Sequence, residues 1–285
     1  MKKSIKAIIL SFLTVLSVAS GGISASASES DVNENASEIS VVSNTGVNLD
    51  QPEVSLEDQL EDVINDPELT EEKRQDFIEK IEYLISVCDG TYAEPNALSP
   101  NYGKFLEVPF CKQEYINYCG PATTLQTYKY FNKKADVDQS DIAKAFKMVP
   151  KGKGCDLRDD ILKYLNDNIG TSYVAKWLGA NATNLEGSTT LICNSIDNKV
   201  PPILWVTVDD YSYIDESPKD ERNVTKWPYY TNGHYLNVSG YMKYGEQMRM
   251  TDPYLPYAKG YIDDKIGTFY VTRDTVYMVT TAVCV

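Results

Sequence analysis

Apolar residues recur at helical spacing in two neighbouring stretches near the front of the chain. Leu56, Leu60, Val63 and Ile64 mark the first, and Phe77, Ile78, Ile81, Leu84 and Ile85 the second. Asn65-Asp66-Pro67 separates them, and Thr70, followed by Glu71, Glu72 and Lys73, predicts the N-cap of the second helix. Residues 28 to about 55 carry neither period nor aromatic side chain and predict a flexible linker. Gly90, Pro95, Pro100 and Gly103 punctuate a boundary over residues 88–103.

From about residue 104 the texture changes, and most of the Tyr and all three Trp lie there. Val108 to Cys111 reads as a short strand entry. A helix is predicted from Cys119 to about Phe131, burying Leu125, Tyr128 and Phe131. A short one over Ser140–Met148 has Ser140 as N-cap, and another over Leu157–Asn168 has Ile161, Leu162 and Leu165 on one face. Strand signals then dominate. Pro202 to Val208 reads as a buried strand, His234–Tyr241 and Gln247–Thr251 as a hairpin across Lys243–Glu246, and Gly267–Thr272 and Val276–Val283 as the remaining strands. Helices first and an antiparallel sheet afterwards predict an α+β fold. No internal repeat interrupts this order.

The first residues stand apart from that pattern. Lys2, Lys3 and Lys6 precede the apolar run Ala7–Ala19, and Ala25-Ser26-Ala27 is a small-residue cleavage site. The run is shorter than the roughly 20 residues of a spanning helix. Residues 1–27 therefore predict a secretory signal peptide, and the rest of the chain a secreted, extracellular or wall-associated protein with no integral membrane span. Within the 285 residues, 42% hydrophobic and 24% charged is ordinary for a globular protein. Loss of the three signal lysines leaves 24 basic against 41 acidic residues, a charge near −17. Such a surface repels phosphate backbones, so nucleic acid is not an expected partner.

The six cysteines are Cys88, Cys111, Cys119, Cys155, Cys193 and Cys284. Export permits disulfides, but no pairing follows from the spacing. No C-x-x-C is present and His234 is the sole histidine, so a Cys/His zinc site has little support.

Four residues could carry chemistry. Cys119 sits in Asn117-Tyr118-Cys119-Gly120-Pro121, where Pro121 marks a helix start. A thiol at a helix N-terminus meets the positive end of the dipole, which favours thiolate. His234 follows Gly233 and opens an apolar strand; a lone histidine is more often a surface or satisfied core residue, and only this setting singles it out. The hairpin returns to Thr251-Asp252-Pro253, so Asp252 can lie beside His234 at the open ends of neighbouring strands. Gln113, six residues before Cys119, carries a side-chain amide that could bind an oxyanion together with a backbone N–H.

Together, Val108-Pro109-Phe110, Gln113, Cys119-Gly120-Pro121-Ala122, Gly233-His234-Tyr235, Gly240-Tyr241 and Asp252-Pro253 give an ordered pattern. It resembles the double-glycine leader (bacteriocin-processing) peptidases and their secreted relatives, the C39-like peptidases of the papain-like superfamily, over about residues 104 to 255. The resemblance implies a papain-like fold with a helical lobe carrying the cysteine and an antiparallel sheet lobe carrying the histidine and aspartate. It implies Cys119 as nucleophile, His234 as general base, Asp252 as the residue that orients the imidazole, and Gln113 as oxyanion-hole donor. The reaction implied is hydrolysis of a peptide or protein substrate through an acyl-enzyme, without metal or organic cofactor.

Two features depart from the family pattern. Gly154-Cys155-Asp156 stands where Gly-Thr is usual. Residues 209–232 form a polar, Tyr-rich insertion that reads as a solvated loop or as a lid. The resulting organisation is a signal peptide (1–27), a linker and helical pro-segment or accessory region (28–100), and a peptidase domain (101–285). Two other functions share the fold: a transferase exchanging amide bonds through the same acyl-enzyme, and a non-catalytic surface-binding module.

Overall fold

Two amphipathic helices come first, as their apolar spacing requires. They are α1 (Leu56–Asn65), whose N-cap Ser55 accepts from the Asp58 backbone N–H at 3.0 Å, and α2 (Glu71–Cys88). The structure, a computed structural model, describes residues 41–42, 46–88, 103–178, 185–214, 226–254 and 267–285. The signal-peptide stretch lies outside the described residues, as does most of the 88–103 boundary. All the described residues belong to one compact unit, Glu38–Val285.

The short strands β1 (Val41–Val42), β2 (Lys104–Phe105) and β3 (Ala175–Trp177) flank a central run of four. That run comprises β4 (Ile203–Val208), β5 (Tyr230–Met242), β6 (Gln247–Thr251) and β7 (Thr268–Thr272), and β8 (Thr280–Cys284) completes the sheet. The order is β3-β8-β4-β5-β6-β7, antiparallel throughout, with β1 parallel and β2 antiparallel to β5. The apolar run Ile203–Val206 of β4 follows from its place. Ile203 and Trp205 face one core, while Leu204, Val206 and Val208 face the other. A strand covered on both faces needs no polar alternation.

One face is covered by α3 (Cys119–Phe131), α4 (Gln139–Ala145), the π-helical turn Leu157–Leu162 and α5 (Lys163–Asn168). The other face is covered by α2, α6 (Leu185–Asp197) and α7 (Arg273–Val279). The α2 side chains Ile81, Leu84 and Val87 are buried there beside Ile192 and Ile196 of α6. Burying each such side chain stabilises the fold by about 1.5–3 kcal/mol. Polar ties add to this: Gln59 donates to the Ala175 carbonyl at 2.9 Å, Arg158 pairs with Asp62 at 2.9 Å, and Lys80 donates to the Ser172 carbonyl. The helical pair is thus built into the same core as the sheet.

Several elements differ from their sequence pattern, each for a local reason. Val108–Cys111 is not a strand; pairing comes earlier, through Lys104, Phe105 and the Leu106 N–H. The cap of α4 is Asp138 rather than Ser140, because Asp138 and Asp141 form a reciprocal capping box. The predicted helix over Leu157–Asn168 begins as a π-turn, in which Ile161 N–H reaches back five residues to the Asp156 carbonyl. Val276–Val279 is helical rather than extended, since Val276 and Val279 bury into the core from α7 before β8 begins. β3 and α6 were not foreseen.

The stretch read as linker is not free of structure either. Val47 pairs in parallel with Cys155, Asn48 N–H donates to the Cys155 carbonyl at 3.0 Å, and Cys155 N–H donates to the Gly46 carbonyl at 3.1 Å. Gln51 is buried, with its amide donating to the Tyr235 hydroxyl at 2.9 Å and accepting from the Leu157 N–H. Part of the insertion at 209–232 is core as well: Trp227, Tyr229 and Thr231 are buried, and β5 starts four residues before His234. The middle of that insertion lies outside the described residues.

Candidate active site

Helix α3 starts at Cys119, and everything from Cys119 to Thr127 on it is buried. Ahead of it, the fully buried Asn117 fixes the approach. Its amide donates to the carbonyls of Val149, Gly152 and Lys153, and its Oδ1 accepts from the Lys151 N–H. Gly120 faces the thiol of Cys155 so closely that a Cβ there would lie 2.1 Å from Sγ, so any other residue would force the Cys155 side chain to move. Helix and strand are tied along their length. Thr123 donates to the Tyr235 carbonyl at 2.9 Å, Thr127 donates to Asn237 Oδ1 at 2.8 Å, and Asn237 Nδ2 donates to Gln126 Oε1 at 2.9 Å.

On β5, His234 sits opposite Val206 of β4 and only 1% exposed. Asp252 follows the last residue of β6, whose Thr251 is in register with Asn237. The hairpin therefore returns the carboxylate to the histidine, and His234 Nε2 lies 2.8 Å from Asp252 Oδ1. Side-chain hydrogen bonding also links His234 to Cys119, leaving Nδ1 as the nitrogen on the thiol side. Burial opposes a charge on the imidazole. The Asp252 carboxylate and the Cys119 contact outweigh it, and His234 is pushed up to about 10.

Asp252 is wholly buried and satisfied on each oxygen. Oδ1 also accepts from the Tyr254 N–H at 2.8 Å, Oδ2 accepts from the Tyr229 hydroxyl, and its own N–H donates to the Gly267 carbonyl at 2.8 Å. Burial and the neighbouring Asp252 hold the Tyr229 phenol well above its ordinary value, so it stays a donor. The rings of Tyr229 and Tyr254 stand edge-on to the imidazole, each with its centroid 5.9 Å away. The sequence reading missed both tyrosines. Tyr254 had a signal in its place two residues after Asp252, whereas Tyr229 sat inside a stretch read as loop or lid.

Gln113 is anchored beside the acid, its N–H donating to the Pro253 carbonyl at 2.9 Å. Its side-chain amide donates to the carbonyls of Tyr115 and Ile116, each at 3.1 Å, and so braces the loop leading to Cys119. The four sequence-predicted residues thus divide into a contiguous set, Cys119–His234–Asp252, and Gln113, which meets that set through the Tyr115–Ile116 loop and Pro253. Cys111, Cys119, Cys155, Cys193 and Cys284 are all thiols. Burial pushes the Cys111, Cys155 and Cys284 thiols upward. Among the described residues no group of three His, Cys, Asp or Glu is placed to hold a metal ion, and no helix is long and apolar enough to cross a membrane.

Comparison with known proteins adds three findings. Residues 105–277 match the model of the Peptidase_C39 like family. Among solved structures, xylellain, a cysteine protease from Xylella fastidiosa, is similar at 11% identity and a TM-score of 0.37, covering 70% of this chain and 87% of its own. Digestive procathepsin L2 proteinase from the Tenebrio molitor larval midgut is similar at 12% identity and a TM-score of 0.40, covering 69% of this chain and 70% of its own. No curated protein matches. With a thiol, an imidazole and a carboxylate brought together inside the matched span, the chain belongs to the Peptidase_C39 like family of cysteine peptidases.

Proposed function

We propose that the protein is a secreted peptidase in which Cys119, His234 and Asp252 form the catalytic triad and Gln113 contributes to the oxyanion hole. The observation that carries this reading is the placement of a buried, carboxylate-bound imidazole against a thiol at the first residue of a helix. In that arrangement His234 takes the Cys119 proton, and the thiolate attacks the scissile carbonyl carbon. The oxyanion forms next to the backbone N–H of Cys119, at the positive end of helix α3. The Gln113 amide is the second donor once it turns from the Tyr115 and Ile116 carbonyls. His234 then protonates the leaving amine, and water, deprotonated by the same imidazole, hydrolyses the thioester. Asp252, held by Tyr229 and the Tyr254 N–H, keeps the ring in the orientation that makes this exchange reversible.

Secretion rests on the signal-type residues 1–27. Synthesis as a zymogen, with part of residues 28–100 restraining the enzyme, rests on the contacts those residues make with the site. The test is alkylation of the purified protein by iodoacetamide across pH, together with hydrolysis of an unfolded protein substrate. Cys119-dependent alkylation that persists below pH 6 and weakens in His234→Ala supports the pair. Labelling that rises only near the ordinary thiol pKa of about 8.5 overturns it. Adding free amines to the hydrolysis assay distinguishes a hydrolase from a transferase.

A further inference from the structure

Two loops meet at the start of α3, and one buried side chain fastens them together. The first, Lys112–Tyr118, runs directly into the helix. The second is Phe146–Cys155. Asn117, two residues before Cys119, clasps it through the carbonyls of Val149, Gly152 and Lys153 and through the Lys151 N–H. The second loop is therefore held in the same frame as the nucleophile.

Both loops carry large apolar side chains in solvent. Tyr115 is 42% exposed, Ile116 43% and Val149 61%. Among the described residues seven large apolar side chains are exposed, and three of them gather on these two loops. Single exposed apolar residues are ordinary, whereas a grouping of them marks a contact surface.

The charge of these loops also runs against the rest of the chain. Lys112, Lys147, Lys151 and Lys153 stand against one acid, Glu114, a net charge of +3 (four minus one), in a chain whose formal charge is −14. Lys147, Lys151 and Lys153 are exposed, and among the described residues none of them is in a salt bridge. Asp160 lies within electrostatic reach of Lys147. Pro150 and Lys151 are the central residues of a turn closed by the Gly152 N–H on the Val149 carbonyl at 3.0 Å. Lys151 has a φ of 60° and Lys147 one of 55°, the left-handed region in which glycine or asparagine is the undemanding choice. The turn itself gains nothing from a lysine, whose charged head stands in solvent.

Resting on the peptidase reading above, we propose that Tyr115, Ile116 and Val149, rimmed by Lys147, Lys151 and Lys153, are the specificity surface of the enzyme. It selects peptides in which a large apolar side chain stands beside Asp or Glu close to the scissile bond. The apolar side chain leaves water against the three exposed residues. The lysines steer the acidic neighbour and repel peptides rich in Lys or Arg. Elsewhere the acidic surface repels such a substrate, so this is the face where the field reverses. The Gln113 amide donates to the Tyr115 and Ile116 carbonyls, so a peptide seated here bears on the loop that holds the oxyanion donor.

The experiment is digestion of a proteome-derived peptide library by the secreted protein, read by mass spectrometry, followed by kinetics on synthetic peptides. One peptide carries Leu beside Asp-Glu, a second Leu beside Gln-Gln, and a third Ser beside Asp-Glu. We expect cuts enriched near a large apolar residue with an adjacent acid. The triple variant Lys147→Gln/Lys151→Gln/Lys153→Gln should lose about 10-fold in kcat/KM on the first peptide, mostly through KM, and scarcely change on the second. Raising the ionic strength to about 0.5 M should erase the wild-type preference for the first over the second. Val149→Ser should narrow the preference for the first over the third. Equal hydrolysis of all three peptides by wild type, or a preference that the lysine variant keeps, overturns the surface and spares the peptidase. Fluorescence anisotropy with labelled peptides and Cys119→Ala reads binding alone. Tighter binding of the first peptide without hydrolysis of any by wild type supports the surface and overturns the peptidase. Should the triple variant not fold, Lys153→Gln and the salt dependence decide in its place.

Discussion

Thr127 and Asn237 share a 2.8 Å hydrogen bond, wholly buried, that ties the cysteine helix to the histidine strand. Asn237 in turn donates to Gln126 and to the Thr123 carbonyl, so one side chain on β5 holds three residues of α3. Two residues separate it from His234 on the same strand. Replacing Asn237 by Leu leaves Thr127 and Gln126 without their partner in the core, and each buried polar group so orphaned costs about 1–3 kcal/mol. Chemical denaturation should show a loss of that order, and kcat should fall more than KM rises, because the thiol and the imidazole lose their common frame. An unchanged kcat in a destabilised but folded variant would count against this coupling.

Removing either end of the thiol–imidazole pair tests the chemistry itself. Cys119→Ala and His234→Ala should each lower kcat/KM by on the order of 1000-fold or more, and the double variant by scarcely more than one alone, since the two act as a unit. Cys119→Ala should keep its melting temperature within a few degrees, the change being one buried sulfur.

Asp252→Asn separates orientation from charge. Folding raises the His234 pKa from its ordinary 6.5 to about 10, so the stability this contributes is fully present below pH 6.5 and is lost as the pH climbs toward 10. Denaturation curves should therefore show wild type losing its advantage over Asp252→Asn across that interval. Hydrolysis should fall about 100-fold or more at neutral pH, with the alkaline limb of its pH profile shifted to lower pH. A pH-independent stability difference between the two proteins would sink the assignment.

Tyr229→Phe keeps the ring that stands edge-on to His234 and deletes only the hydroxyl bound to Asp252 Oδ2. One oxygen of a buried carboxylate then lacks its donor, at a cost of about 1–3 kcal/mol. Activity should drop by roughly 10-fold, in proportion to the loosened acid. Tyr229→Leu, which removes ring and hydroxyl together, should do worse on both measures.

Much of this arrangement is legible from local signals. Pro121 two residues after Cys119 marks the helix start, the hairpin length sets Asp252 beside His234, and the apolar run of β4 announces a strand covered on both faces. What is illegible depends on partners distant in sequence. Tyr229 lies in a polar stretch whose burial is decided by Trp227 packing on Phe269 at 5.3 Å, a contact no local pattern encodes. Val276–Val279 has the β-branched composition of a strand, and tertiary burial makes it a helix. Gly46–Gln51 has no period at all, because its order comes from the residue-155 backbone and two glycines far along the chain. Gln113 was legible as an amide near the thiol, but its bonds to Tyr115 and Ile116 depend on how the loop folds back.

The hydrogen bond from Asp252 N–H to the Gly267 carbonyl has a consequence beyond the acid it steadies. It clasps the chain at both feet of everything between Tyr254 and Gly267, while β6 and β7 zip together directly below. Whatever is spliced into that stretch begins and ends at a fixed gate, and doubling its length adds only about 0.6 kcal/mol of closure entropy. A change in the length of that stretch is therefore absorbed outside the clasp, leaving Asp252 in place beside His234.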